Sequence, residues 1–221
     1  MKRIFIIIIS VVITASVSAQ NLFFPTKEGM SLLYANIDAK GKIDSYTRQI
    51  IKKVEGSGNN FSISYVGQML DKNRKPVSDI EVPLTITIVN GVVEWDMKSF
   101  AAPGTEGLIE IEGDKLKIPS SLAPGEKLDD VKFTMTMNMG FKIRTEVALT
   151  DQQCLAIEDI TVPAGSFKCY KVTQTSAVTA MRRTTTTKIV SWYAPGIGTV
   201  KTESYDDKGK LQSTTELNAI E

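Results

Sequence analysis

The stretch VKFTMTMNMGFKIRTEVAL, residues 131–149, has the most regular pattern in the chain. Apart from Thr145, apolar side chains occupy one parity from Val131 to Leu149, and mostly polar or charged side chains occupy the other. Successive side chains of a strand point to opposite faces of a sheet, so this alternation predicts two strands that each have one apolar face. The parity continues across Asn138-Met139-Gly140, which predicts a hairpin with a three-residue loop and Gly140 in the left-handed conformation.

The remainder of the chain after Met30 also has the sequence pattern of β-strands. Short runs rich in Val, Ile, Thr, Tyr and Phe alternate with turn-forming clusters, and no segment has the period of an amphipathic helix. DAKGK at 38–42 and DDKGK at 206–210 each place Asp at the start of a turn and Gly where φ is positive. We therefore predict an all-β fold, a predominantly antiparallel meander that forms an open barrel or a strongly curved sheet.

The first nineteen residues, MKRIFIIIISVVITASVSA, resemble a signal peptide. Lys2 and Arg3 precede a short apolar run, and Val17-Ser18-Ala19 offers small residues for a signal peptidase. We predict a signal peptide at 1–19, a single β-rich domain at 20–221, and a periplasmic or secreted location in a bacterium. The apolar run is shorter than the roughly 20 residues of a membrane-spanning helix, so no transmembrane segment is expected after cleavage.

Charge and composition exclude several classes of function. Without Lys2 and Arg3, the 26 basic residues fall to 24 against 25 acidic ones, a net charge of −1, so a general nucleic-acid binder is not expected. The chain contains no histidine, which excludes Ser-His-Asp and Cys-His catalysis and histidine-containing zinc sites. No other recognisable catalytic constellation is present, so we predict a protein that is not an enzyme and needs no cofactor.

The two cysteines, Cys154 and Cys169, allow two interpretations. An exported protein usually meets an oxidising compartment, so one disulfide between them is the first expectation. If Pro163-Ala164-Gly165 forms a hairpin turn, however, the residue opposite Cys169 is near Thr161 or Ile160. The alternative is therefore a pair of separately buried thiols.

The apolar face of residues 131–149 allows three interpretations. It packs in the core, with Met filling irregular gaps, or it lines a cavity for an apolar or amphiphilic ligand. The candidate cavity residues are Phe133, Met135, Met137, Phe141 and Ile143. In the third interpretation Met135, Met137 and Met139 supply the soft sulfur ligands that select Cu(I).

Three further segments carry a family resemblance: VPAGSFKCYKV at 162–172, SWYAPGIGTVKTE at 191–203 and DKGKLQSTTEL at 207–217. Together with FPTKEGMSLLYANIDAKGK at 24–42, they resemble the TapB-like, domain-of-unknown-function 3108-like exported proteins of Bacteroidetes. The resemblance implies an envelope β-protein, similar in architecture to lipoprotein carriers, and it brings no substrate and no active-site residue.

These observations favour an exported, noncatalytic envelope protein that binds an apolar or lipid-like ligand in a β-sheet cavity. The alternative is a structural or protein-interaction module of the envelope, which would have no ligand cavity and would present an exposed edge strand or apolar patch.

Overall fold

Thirteen antiparallel strands form one sheet in the computed structural model, which describes residues 22–78, 81–95, 108–119, 121–138 and 140–221. No helix is present in these residues. The all-β, strongly curved sheet predicted from the sequence is confirmed. The strands are β1 (Ser31–Asp38), β2 (Ile43–Ser57), β3 (Asn60–Asp71), β4 (Val82–Val89), β5 (Val92–Trp95), β6 (Ile109–Gly113), β7 (Leu116–Pro119), β8 (Val131–Asn138), β9 (Lys142–Val162), β10 (Gly165–Ala180), β11 (Arg183–Ala194), β12 (Gly198–Tyr205) and β13 (Leu211–Ile220).

The sheet consists of two sequential meanders that meet at the first and last strands. Strands β1 to β5 and β8 to β13 each follow chain order, and β13 pairs with β1, where Glu216 lies opposite Ala35. The predicted meander is therefore correct within each half. Chain order is broken only around β6 and β7, which form the two edges of the sheet.

The two edge strands of the sheet, β6 and β7, are consecutive in the chain. β6 pairs with β8 and β7 pairs with β5, although only Asp114 and Lys115 separate β6 from β7 in the chain. Two residues span less than about 10 Å, so the sheet curls until its edges lie near each other at this point. The Lys132 backbone fixes the bend, because its carbonyl accepts from the Asp114 amide at 2.8 Å and its amide donates to the Asp114 carboxylate at 2.9 Å.

The 131–149 hairpin forms with the predicted pairing of its apolar parity. Phe133 lies opposite Val147, Met135 opposite Thr145 and Met137 opposite Ile143. Gly140 has a φ of 81°, as the loop prediction requires. Because Asn138 pairs with Lys142, the three loop residues are 139–141 and the loop is displaced by one residue from the prediction. Met139 lies outside the described residues.

β9 merges two segments that the sequence pattern separates. Its 21 residues run through two irregularities in the pairing with β10, one beside Leu155 and one near Asp151. Asp151 has a φ of 55°, and Leu155 has no partner between the Lys171–Ala156 and Val172–Cys154 pairs. An extra residue of this kind changes the face to which the following side chains point, so a single strand can lose a simple alternation.

The N-terminal segment Leu22-Phe23-Phe24-Pro25 is buried inside the curved sheet. It packs in one cluster with side chains from strands far apart in the sheet, among them Ile63 of β3 and Cys154 of β9. These two strands are seven positions apart in the sheet order, about 34 Å in a flat sheet. Leu22–Pro25, called the plug below, therefore fills a concavity that strong curvature creates.

The predicted disulfide between Cys154 and Cys169 is wrong. Both cysteines are free and fully buried, and they belong to different hydrophobic clusters. The register of β9 and β10 gives the reason, because Cys154 lies opposite Val172 whereas Cys169 lies opposite Glu158. A strand rises about 3.3 Å per residue, so three residues of separation along β10 put the thiols beyond bridging distance.

None of the described residues forms a helix long and apolar enough to cross a membrane. The predicted signal peptide, residues 1–19, lies outside the described residues.

Candidate ligand-binding site

A cavity of about 210 Å³ lies between the plug and the strands that surround it. Phe23 and Phe24 of the plug form one wall, and residues of seven different strands or their turns form the others. The lining residues contributed by the strands and turns are Tyr34, Thr47, Gln49, Trp95, Ile118, Tyr193, Ile197, Gly198, Thr199 and Thr215.

Aromatic contacts hold the plug in place beside this cavity. The Phe23 ring meets Tyr170 edge-on, with centroids 4.9 Å apart, and lies 6.1 Å from the ring of Tyr193. The Phe24 ring lies 5.4 Å from Tyr65 and meets Trp95 edge-on at 6.0 Å. Edge-to-face pairs add to the stabilisation that burial itself supplies, so the aromatic wall of the cavity is well fixed.

The backbone also fixes the plug. The Leu22 carbonyl accepts a hydrogen bond of 2.7 Å from the Gly196 amide in the turn between β11 and β12. A Cβ on Gly198 would lie 3.1 Å from the Phe23 carbonyl oxygen, and Gly198 itself has a φ of 90°. Glycine at this position therefore permits both the turn conformation and the close approach of the plug.

Most polar groups around the cavity already have partners. The Tyr34 hydroxyl donates to the Thr199 carbonyl at 3.1 Å, and burial raises the pKa of this phenol well above its ordinary value. Thr47 accepts from the Asn36 amide at 3.1 Å, and Thr215 donates to the Asn36 carbonyl oxygen at 3.2 Å. These groups therefore form neutral, internally satisfied parts of the wall.

Trp95 is the exception. Its indole nitrogen is buried and donates to no acceptor among the described residues. A buried donor without a partner costs about 1–3 kcal/mol, and a ligand that supplies an acceptor would remove that cost. The cavity thus has the aromatic and apolar walls typical of small-molecule sites, and one of its lining residues carries a buried indole N–H without a partner among the described residues.

The five cavity residues predicted from the sequence lie elsewhere. Phe133, Met135 and Met137 on β8 and Ile143 on β9 are half-buried, and Phe141 is 64% exposed in the loop between these strands. None of the five lines the plug cavity. Phe133 borders an open groove with Gly113, Val147 and Ala148, so the predicted role of the β8–β9 face in ligand binding stays a prediction.

The copper interpretation also stays a prediction. Met135 and Met137 project from the same face of β8, two residues apart, opposite Thr145 and Ile143 of β9. The third candidate, Met139, lies outside the described residues.

A second polar constellation surrounds Trp192, outside the plug cavity. The Trp192 indole donates to Glu158 at 2.6 Å, and the Lys171 ammonium lies 3.3 Å from the same carboxylate. The indole hydrogen bond, followed by Lys171, lowers the pKa of Glu158. Lys171 and Lys201 lie 5.1 and 5.3 Å from the Trp192 ring centroid, within cation–π distance. Each charge here is paired within the protein, which is typical of a structural cluster.

The sequence interpretation missed the residues that build the plug cavity. The available signal is Leu22-Phe23-Phe24, an apolar run that begins three residues after the predicted cleavage site and is too short to form a strand of the meander. The other aromatic residues, Tyr34, Trp95 and Tyr193, come from strands that are distant in sequence. Only the curvature of the whole sheet brings them together.

The fold and cavity define this chain as a one-sheet, antiparallel β-protein that wraps around its own N-terminal segment. The chain belongs to the DUF3108-like family, whose model matches residues 27–217. The family resemblance carried by the quoted motifs is thereby confirmed.

Two crystal structures share this fold. One, from Bacteroides fragilis, is provisionally named as an exported protein with a YmcC-like fold; it is 23% identical, with a TM-score of 0.74, and the alignment covers 91% of this chain and 99% of that one. The other, from Parabacteroides distasonis, is provisionally named as a lipoprotein; it is 25% identical, with a TM-score of 0.75 and the same two coverages. The comparison with curated proteins gives no match.

Proposed function

We propose that this chain is an exported, noncatalytic binding protein of the bacterial envelope that holds the apolar part of a small amphiphile in the plug cavity. The N-terminal sequence resembles a signal peptide, and the two similar crystal structures carry the names exported protein and lipoprotein. Both features support an envelope location. The absence of histidine from the sequence supports a binding role over the common acid–base chemistries.

The single observation that carries the proposal is the aromatic-walled cavity beside the plug, one of whose lining residues, Trp95, has a buried indole N–H without a partner among the described residues. A packed core that binds nothing would gain stability by filling the space and satisfying the donor. A ligand with an apolar body and one acceptor oxygen, such as the ester or carboxyl group of a lipid-like molecule, meets both needs.

The size of the cavity restricts the ligand. At about 210 Å³ it is below the 300–1,000 Å³ typical of drug-sized ligands, so it accommodates one short acyl chain or one ring and not a whole phospholipid. The plug forms a wall of the site, so a larger ligand would have to displace Phe23 and Phe24 from their aromatic partners.

Quenching of Trp95 fluorescence by the short brominated fatty acid bromohexanoate tests the proposal directly. The chain has two tryptophans, so Trp192→Phe leaves Trp95 as the only indole. Bromine quenches an indole on contact, and we expect saturable quenching in this variant. In the unmodified chain, where Trp192 lies outside the cavity, only part of the emission should be lost.

A cavity-filling substitution supplies the control. Thr47 lines the cavity, so Thr47→Phe in the Trp192→Phe background should abolish saturable quenching. Thr145→Phe introduces the same ring on β9, away from the cavity, and should leave quenching intact. Quenching that never saturates, or that Thr47→Phe leaves unchanged, contradicts the proposal.

A further inference from the structure

Three large apolar side chains are exposed at one end of the curved sheet, where the longest strands project. Phe141 in the β8–β9 loop is 64% exposed, Met181 in the β10–β11 turn is 72% exposed, and Leu108 just before β6 is 52% exposed. Single exposed apolar residues are ordinary on a protein surface. The ordinary occurrence of single exposed apolar residues does not account for three of them on adjacent strands.

The pairing of the strands places these residues together. The Leu108 carbonyl accepts a hydrogen bond of 2.7 Å from the Asn138 amide, directly before the loop that carries Phe141. On the neighbouring side, Ala180, which precedes Met181, pairs with Thr145 of β9, only four residues after Phe141. Strand spacing and rise put the loop and the turn roughly 10 Å apart along one rim.

The β10–β11 turn has two non-glycine residues in a left-handed backbone conformation. Ala180 pairs with Arg183, so Met181 and Arg182 form a two-residue turn, and both have positive φ, 48° and 63°. This is the signature of a type I′ turn, which strongly favours Asn-Gly because other side chains are strained there. An exposed Met-Arg pair in this conformation gains nothing from packing, and strain of this kind is concentrated at functional positions.

Three cations lie beside the apolar residues without an ion pair among the described residues. Lys142, Arg182 and Arg183 make no ion pair with the described residues, whereas Arg144 is paired with Glu146 at 3.1 Å. Glu106, which lies outside the described residues, and Glu110 on β6 are each two residues from Leu108 in sequence. Three cations without an ion pair concentrate positive charge at this rim, although the predicted mature chain has a net charge of −1.

We propose that this rim, which we call the hairpin tip and define as Leu108, Phe141, Lys142, Met181, Arg182 and Arg183, docks on the surface of an anionic lipid bilayer. Aromatic and apolar side chains enter the interface between headgroups and acyl chains, and adjacent cations bind the lipid phosphates. The three cations favour an anionic bilayer over an apolar protein surface. The proposal does not depend on the plug cavity.

Co-sedimentation of the chain with vesicles tests the docking. We expect binding to vesicles of phosphatidylglycerol and phosphatidylcholine, weaker binding to phosphatidylcholine alone, and a decline with added salt because the charges are screened. Binding that is absent from the anionic vesicles, or equal for both kinds at every salt concentration, overturns the proposal.

The informative variant replaces Met181-Arg182 with Asn-Gly. This pair suits the type I′ turn, so the double substitution should keep or raise Tm, by about 2–4 °C for each kcal/mol gained. It removes one apolar side chain and one cation from the hairpin tip, so binding to anionic vesicles should fall roughly tenfold. A fold defect therefore cannot explain the loss.

Leu155→Asn is the matched control. Leu155 is 46% exposed on β9, away from the hairpin tip, and its replacement should leave vesicle binding unchanged. Equal binding of the Asn-Gly variant and the unmodified chain overturns the proposal. Concentration-dependent self-association that the Asn-Gly variant abolishes, in the absence of vesicle binding, would assign the hairpin tip to a second copy of the chain instead.

Discussion

The ring of Phe23 meets the ring of Tyr170 edge-on at 4.9 Å, and so joins the N-terminal segment to the centre of β10. We predict that Phe23→Ala lowers the free energy of unfolding by about 3–5 kcal/mol, because it removes a buried ring and leaves a cavity against Tyr170 and Tyr193. Urea unfolding followed by circular dichroism measures this loss.

The control for this substitution is Phe141→Ala. Phe141 is largely exposed in the β8–β9 loop, so its replacement should change stability by no more than about 0.5 kcal/mol. Equal effects of the two substitutions would show that the plug does not stabilise the fold.

The bend between β6 and β7 depends on Gly113. This residue has a φ of 132°, and a Cβ at this position would overlap the Lys132 carbonyl oxygen and the Phe133 backbone. We predict that Gly113→Ala destabilises the protein by more than about 2 kcal/mol and exposes the edge of the sheet, since conformational strain and steric overlap add. Thermal unfolding and amide hydrogen exchange at β6 and β8 measure the effects.

Gly140→Ala separates strain from overlap. Gly140 also has a positive φ, 81°, but a Cβ there would meet nothing within 4 Å. Its substitution should cost only the strain of the left-handed conformation, about 1–2 kcal/mol. If Gly113→Ala costs no more than Gly140→Ala, the close approach of β6 to β8 is not what fixes the bend.

Local patterns predicted the hairpins, and non-local contacts decided the remainder. The alternation of residues 131–149 fixed the pairing of Phe133 with Val147, because one buried face specifies the register. β6, with the sequence IEIEG, escaped prediction because two of its five residues are glutamates and its partner strand lies outside the local sequence. Its pairing with β8 also depends on the bend at Gly113.

The candidate site was harder to predict than the fold for a related reason. Leu22-Phe23-Phe24 has no strand period, and nothing in its sequence shows that it enters the sheet. The disulfide expectation for Cys154 and Cys169 rested on the export pathway, whereas the register of β9 and β10 decides the distance and gives the alternative, two separately buried thiols. The predicted turn placed Thr161 or Ile160 opposite Cys169, whereas Glu158 lies there, and pattern analysis does not resolve a register difference of two or three residues.

The separated thiols give a direct chemical prediction. Burial raises the pKa of Cys154, and burial together with Asp159 and Glu158 raises the pKa of Cys169 to about 11, so both remain protonated thiols at neutral pH. We predict that neither reacts rapidly with a maleimide in the folded protein and that both react in denaturant, since the thiolate is the nucleophile. Intact mass after labelling counts the modified residues.

The same masses test the absence of a bridge. Protein purified without reductant should take up two labels after unfolding, and an unlabelled mass two hydrogens lower would instead demonstrate a disulfide. Cys154→Ser and Cys169→Ser should each reduce the count by one, and both should destabilise the core because they place a hydroxyl in a fully buried position.

The pairing of Glu158 with Trp192 predicts a pH-dependent contribution to stability. The indole hydrogen bond and then Lys171 lower the pKa of Glu158 in the folded state. A carboxyl group with a depressed folded pKa stabilises the protein fully above its unfolded pKa, about 4.3, and loses that contribution as the pH falls through the folded value. The Glu158 and Lys171 side chains are partly exposed, so screening limits the contribution to about 0.2–1 kcal/mol. We therefore expect the difference in unfolding free energy between the unmodified chain and Glu158→Gln to be constant near neutral pH and to shrink below about pH 4.3.

Trp192→Phe removes the indole N–H that donates to Glu158. Glu158→Gln in that background should therefore lower the unfolding free energy less at neutral pH than it does in the unmodified chain. An unchanged difference would mean that the indole does not stabilise the carboxylate.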